Sequence, residues 1–120
     1  MKRNSIKTIQ RLKNKRPISC LTAYTSSIAK IVDQNVDVIL VGDSLGTVIY
    51  GFKNTRSVTL EMMKNHGRAV VQSSQKSFTI VDMPYKTYAN NKQALNNAKH
   101  LLQFTGCQSV KLETDRTTIP

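Results

Sequence analysis

Residues 36–41 read VDVILV, five apolar residues in six with no glycine or proline among them. A run this dense reads as a strand buried on both faces, the habit of parallel sheets covered by helices. The chain repeats the arrangement. Residues 18–23 form a second short apolar run, residues 78–81 (FTIV) a third and residues 108–112 (QSVKL) a fourth. Between them lie stretches of helical periodicity at 26–34, 59–74 and 91–104, and a loop with Gly42, Gly46 and Gly51 follows the second strand. Thr59 stands where an N-cap belongs, although Met62 at N3 leaves the capping box incomplete. The last helix places Leu95, Ala98, Leu101 and Leu102 on an apolar face, and Gly106 follows as a fitting C′ residue. Strand–helix alternation of this kind predicts an α/β fold, a parallel sheet with right-handed crossovers.

A chain of 120 residues has room for one domain, and its 39% hydrophobic and 21% charged residues match a globular protein. No apolar run nears the roughly 20 residues of a membrane-spanning helix, so no membrane partner is expected. Cys20 and Cys107 are far apart and outside any C-x-x-C pattern, which argues against a disulfide scaffold or a cysteine zinc site. A reducing compartment fits, and a cytoplasmic location is the expectation.

Net charge is +11, from 18 Lys and Arg against 7 Asp and Glu. Such an excess invites a nucleic-acid reading, because cations that neutralise phosphates bind by releasing counterions. Its distribution argues otherwise. Seven of the basic residues (Lys2, Arg3, Lys7, Arg11, Lys13, Lys15, Arg16) fall in residues 1–16, which hold no acid. The remaining eleven face seven acids, leaving +4, and no later stretch interleaves basic and aromatic side chains as a stacking platform does. Within the first segment Ser5 caps a short helix with Ile6, Ile9 and Leu12 near one face, and Pro17 ends it. That pattern suits a mitochondrial presequence, but no small-residue cleavage site follows; a lid helix covering the bottom of the next domain is the favoured reading. The chain thus divides into a basic N-terminal helix, 1–16, and a domain over 17–120.

Three acids recur at one place in the rhythm. Asp43 follows VILVG, Asp82 follows FTIV and Glu113 follows VKL. Each ends a buried strand on its C-terminal side, the edge where parallel α/β folds bind ligands. Any one of them could simply cap the following helix. Three at equivalent ends would crowd together and repel, so they are expected to hold a cation or share a proton, and an all-oxygen set favours a hard ion, Mg²⁺ above others. Lys111 stands two residues before Glu113 and points to the same side of its strand, either to meet an anionic ligand or to pair with Glu113. Ser44, next to Asp43, offers a hydroxyl and an N–H above the strand end.

Seven motifs, in order and at natural spacing, now carry a resemblance. They are LTAY at 21–24, VGDSLG at 41–46, T-x-x-V-T at 55–59, M-x-x-H-x-x-A-V at 63–70, VDMPYKTY at 81–88, NA at 97–98 and VKLE at 110–113. Together they are similar to the ketopantoate hydroxymethyltransferases. The resemblance implies the first four βα units of a (β/α)8 TIM barrel. It implies transfer of a one-carbon unit from 5,10-methylenetetrahydrofolate to 3-methyl-2-oxobutanoate, giving 2-dehydropantoate in pantothenate biosynthesis. By resemblance Asp43, Asp82 and Glu113 match the Mg²⁺ site, and Asp43, Ser44, Asp82 and Lys111 match the positions that bind the keto acid. The implied chemistry has Mg²⁺ acidify the C–H beside the ketone, with Lys111 helping to stabilise an enolate that attacks the methylene carbon. Homo-oligomers, often decamers, are the implied assembly.

A (β/α)8 barrel takes roughly 250 residues, so 17–120 is expected to be its N-terminal half. The family's catalytic base is a glutamate of the second half, so no catalytic residue is assigned here. A half barrel leaves an inner face and two edges uncovered, and turnover by these residues alone is expected to be slow or nil. The alternative is a truncated, non-catalytic basic module that binds nucleic acid or anionic surfaces through its N-terminus. The sequence departs from the family at Thr25, usually Asp, and at Thr114 and Asp115, usually glycines that allow backbone conformations other residues resist. His66 reads as helix packing, and Tyr24 either lines the site or fills the barrel mouth.

Overall fold

The computed structural model describes residues 2–114. Four strands, β1 (Cys20–Thr22), β2 (Val38–Val41), β3 (Phe78–Asp82) and β4 (Ser109–Lys111), form one parallel sheet in the order β1-β2-β3-β4. Helices α2 (Ser26–Asp33), α4 (Leu60–Ser73) and α5 (Asn91–Thr105) make the crossovers, with α2 packed on α4 and α4 on α5. A doubly wound sheet jumps in strand order and puts helices on both faces. Here the order is sequential and the helices adjoin in turn. That is the arrangement of successive βα units of a TIM barrel.

Why the crossovers pack this way follows from strand alternation. Partnered residues of parallel strands share a face. Ile39, Val41, Thr79 and Val81 are fully buried beneath the helices, where Met63 and Val70 of α4 and Leu101 of α5 complete the core. Full burial of each such aliphatic side chain stabilises by about 1.5–3 kcal/mol. The opposite face carries Val38, Leu40, Phe78 and Ile80, in register as Val38 with Phe78 and Leu40 with Ile80. On β1, whose only partner among the described residues is β2, Leu21 is 54% exposed.

Caps fix where the helices begin. Thr25, Thr59 and Asn90 each accept an N–H at N3 through a side-chain oxygen, from Ile28, Met62 and Gln93. Thr25 therefore performs the capping that an Asp would perform at that position. α5 stops at Gly106, whose φ of 77° is the left-handed C′ conformation.

Several boundaries differ from expectation. Strand β1 is shorter than residues 18–23. The loop after β2 contains a short helix α3 (Leu45–Val48) and a 3-10 turn at Thr55–Ser57. Helix α1 (Ile6–Gln10) carries the Ser5 cap but ends at Gln10, well before Pro17. The chain then turns through Asn14, φ 61°, and delivers Arg16 to Asp37. The apolar stripe does not fasten this segment alone: Ile6 is 59% exposed, while Ile9 and Leu12 are half-buried. Polar contacts do the rest: Arg3 bonds the Ser74 and Thr79 hydroxyls and the Val71 and Ser74 carbonyls, and the Asn4 N–H meets the Lys76 carbonyl at 2.7 Å. On α5, Leu95 is 56% exposed, because only Leu101 and Thr105 of that helix reach full burial and both lie in its C-terminal half. Asp115 lies outside the described residues.

Candidate functional site

Register builds the rim. Asp82 ends β3, Lys111 ends β4, and the two are Cα partners, so both side chains leave the sheet on one side. Lys111 Nζ stands 3.1 Å from Asp82 Oδ1 and 3.2 Å from Glu113 Oε1. Both readings of that lysine from sequence meet here, since it pairs with Glu113 and also faces the acids. From β2, the Asp43 backbone N–H donates to Asp82 Oδ2 at 3.1 Å. Carboxylate oxygens of Asp43, Asp82 and Glu113 all lie within 4.8 Å of one another. The three acids and Lys111 thus converge from three consecutive βα units.

The electrostatics of this cluster are unsatisfied. Burial pushes the Asp43 carboxyl up, and repulsion from Asp82 and Glu113 adds to it against Lys111 and the Thr55 hydroxyl. Asp82 is only 4% exposed, and burial likewise raises its carboxyl, though the Asp43 N–H and Lys111 pull the other way. Burial works against the Lys111 ammonium, yet Asp82 and Glu113 outweigh it and raise its pKa. Asp82 Oδ1 is buried without a hydrogen-bond partner among the described residues; Lys111 Nζ nears it as a charge, not as an aligned donor. A buried anionic oxygen left in that state, with two more carboxylates within reach, has the chemistry of a site for a hard cation. The residues present fit Mg²⁺.

Ser44 lies at the same rim, its hydroxyl 2.7 Å from the Tyr24 phenol. His66 packs its helix through a specific bond. Its Nδ1 bonds the Tyr24 carbonyl at 2.6 Å, which ties α4 to the C-terminal end of β1. Thr55 and Tyr88 also border the carboxylates, Tyr88 through the Glu113 backbone. Both belong to motifs quoted above, but only their folded position shows what they adjoin. A shallow cleft of about 280 Å³ is lined by Tyr24, Thr25, Ser26, Asn65, His66 and Ala69 and holds none of the three acids.

Fold and rim together define a class: a parallel βα-barrel unit with an acidic, oxygen-only cluster at the C-terminal ends of its strands. The family model described as ketopantoate hydroxymethyltransferase matches residues 3–120. The chain belongs to that family. Curated relatives named 3-methyl-2-oxobutanoate hydroxymethyltransferase include one from Pelagibacter ubique, 49% identical over 107 residues, which is 89% of this chain and 42% of the relative. A second, from Paramagnetospirillum magneticum, is 48% identical over 97% of this chain and 43% of its own length. A third, from Agrobacterium fabrum, is 50% identical over 93% of this chain and 40% of its own. The chain therefore spans about two fifths of the length of these relatives.

Proposed function

We propose that the chain carries the Mg²⁺ and keto-acid half of a hydroxymethyltransferase site. The reaction is transfer from 5,10-methylenetetrahydrofolate to 3-methyl-2-oxobutanoate, giving 2-dehydropantoate. The observation that carries this reading is the convergence of Asp43, Asp82 and Glu113, with Asp82 Oδ1 buried and held only by its ion pair with Lys111. Asp43, Asp82 and Glu113 would hold Mg²⁺, which when bound supplies Lewis acidity toward the keto acid's carboxylate and ketone oxygens. Lys111 contributes the positive charge that an anionic substrate needs beside three acids, and it stabilises negative charge growing on the ketone oxygen. Ser44 donates its hydroxyl to the substrate carboxylate.

Proton removal from the carbon beside the ketone is a separate task. Among the described residues the other carboxylates are engaged elsewhere. Asp33 and Asp37 bond groups at the opposite end of the sheet, and Glu61 pairs with Lys64 at 2.8 Å. Hydroxymethyl transfer by these 120 residues alone is accordingly expected to be slow or nil. In this reading residues 17–120 are the first half of the barrel and residues 1–16 a basic segment beneath it. A homo-oligomeric, cytoplasmic enzyme belongs to the same proposal. Both cysteines are free, which fits a reducing compartment.

The test is calorimetric titration of 3-methyl-2-oxobutanoate into the chain with Mg²⁺, repeated with EDTA and with Asp82→Asn. Binding that needs Mg²⁺ and falls at least about a hundredfold in Asp82→Asn is expected, the scale of losing a charged metal ligand. Equal binding with and without EDTA would sink the reading. Deleting residues 1–16 separates it from the basic-module alternative, under which DNA binding collapses with the deletion.

A further inference from the structure

Ser44 stands at the start of a helix without capping it. It occupies the N-cap of α3, where a serine hydroxyl ordinarily accepts an N–H two or three residues on, yet its side chain makes no such bond. The hydroxyl meets the Tyr24 phenol instead, at 2.7 Å. It lies back over Gly42 so closely that a Cβ on that residue would stand 2.9 Å from Ser44 Oγ and 3.5 Å from Asp82 Oδ2. Gly42 thus leaves room for the serine oxygen on the side of the loop near Asp82.

Tyr24 is held in turn. Its backbone carbonyl accepts from Nδ1 of His66 at 2.6 Å. A carbonyl only accepts, so Nδ1 carries the proton, and in the neutral ring Nε2 is the acceptor for the Tyr50 hydroxyl at 3.1 Å. Tyr50 sits edge-on to the imidazole and stacks on Phe52, with ring centroids 5.4 Å apart. A chain of contacts thus runs from the loop after α3, through α4, to the end of β1 and back to Ser44. Two of its links, His66 to Tyr24 and Tyr24 to Ser44, join the end of β1 to the unit that runs from β2 to α4.

We propose that Tyr24, locked in place by His66, is a positioning residue that holds the Ser44 hydroxyl turned toward a ligand carboxylate at the rim. The role rests on the reading of that rim as a keto-acid site. When the phenol donates to Ser44 Oγ, the serine's own proton is left to be donated to the anion. Without the phenol, the hydroxyl turns freely to its own backbone or to water, and the ligand loses an oriented donor.

A double-mutant cycle tests this, read by calorimetric titration of 3-methyl-2-oxobutanoate with Mg²⁺ present. Tyr24→Phe and Ser44→Ala should each weaken binding by about tenfold, the worth of a hydrogen bond to a charged group, and the double variant no more than Ser44→Ala. Mg²⁺ affinity measured without keto acid should stay within about twofold of the parent's, because neither side chain is a metal ligand in this reading. His66→Asn, whose amide can still donate to the Tyr24 carbonyl, should bind like the parent, and His66→Ala should follow Tyr24→Phe. Independent, multiplying losses from Tyr24→Phe and Ser44→Ala would overturn the role, since a purely structural contribution of the tyrosine persists without the serine. A parent chain that binds no keto acid in a Mg²⁺-dependent way would overturn the reading of the rim, and the role with it.

Discussion

The two ends of the sheet treat their carboxylates in opposite ways. Where the strands begin, Asp33 is 2% exposed and accepts the backbone N–H groups of Gln75, Lys76 and Ser77 at 2.8–3.2 Å. Asp37 accepts a two-pronged bond from Arg16 at 2.7 and 2.8 Å and two more from Ser19. In Asp33 those N–H donors outweigh burial, and in Asp37 the Arg16 guanidinium leads, so both carboxyls sit below the ordinary range. Where the strands end, Asp43 and Asp82 are short of donors and their carboxyls are pushed up by burial. One end spends its charges on holding the fold; the other keeps them unsatisfied for a ligand. Barrel enzymes divide labour in this sense, with stability at the N-terminal face and chemistry at the C-terminal face.

The contrast breaks most sharply at Asp33. Asp33→Ala strands three N–H groups at once and should cost about 3 kcal/mol or more, read as a fall in the denaturation midpoint. An intermediate effect of opposite sign is expected at the other end. Asp43 and Asp82 have raised carboxyls, so their charged forms destabilise the metal-free fold at neutral pH, and that cost is relieved as pH falls through the raised values. Asp82→Asn should therefore melt above the parent at pH 7 without Mg²⁺, with the gap closing on acidification. Asp33 and Asp37, with lowered carboxyls, contribute stability above their unfolded values and lose it as pH drops through the folded ones. Both proteins should then unfold together at still lower pH. A melting point for Asp82→Asn below the parent's at pH 7 would contradict the contrast. The smallest effect belongs to Gly106, at the strand-start end. Its added Cβ would meet Val71 at an ordinary 3.5 Å, so Gly106→Ala should cost only the left-handed backbone, about 1 kcal/mol, in a thermal melt.

What could be read from the sequence follows the range of the forces involved. Val38–Val41 and Phe78–Asp82 announce themselves because burial on two faces favours apolar and β-branched side chains, Thr79 included, and the acids at their ends are legible by position. Leu45–Val48 and the Thr55–Ser57 turn carry no such signal. Each is too short for a period to show, and tertiary contact decides it. Helix α1 ends early for the same reason: the turn through Asn14 answers to Asp37, some twenty residues on. The bond of His66 leaves even less trace in the sequence. Its partner is a backbone carbonyl 42 positions away, and a carbonyl is present at every residue, so no residue type could mark it.

The register that pairs Asp82 with Lys111 has a consequence for how the molecule comes into being. Asp43 and Asp82 are made and brought side by side as soon as β2 and β3 zip together, while the lysine that tempers them arrives only with β4. In a sheet of β1–β3 alone, formed first during synthesis from the N-terminus, buried Asp82 and half-buried Asp43 would stand together without Lys111. At that stage a proton on one acid, or a divalent ion between them, favours the native pairing of β2 with β3. The last strand then does more than widen the sheet. It ends the interval in which the nascent chain depends on the solution for its charge balance.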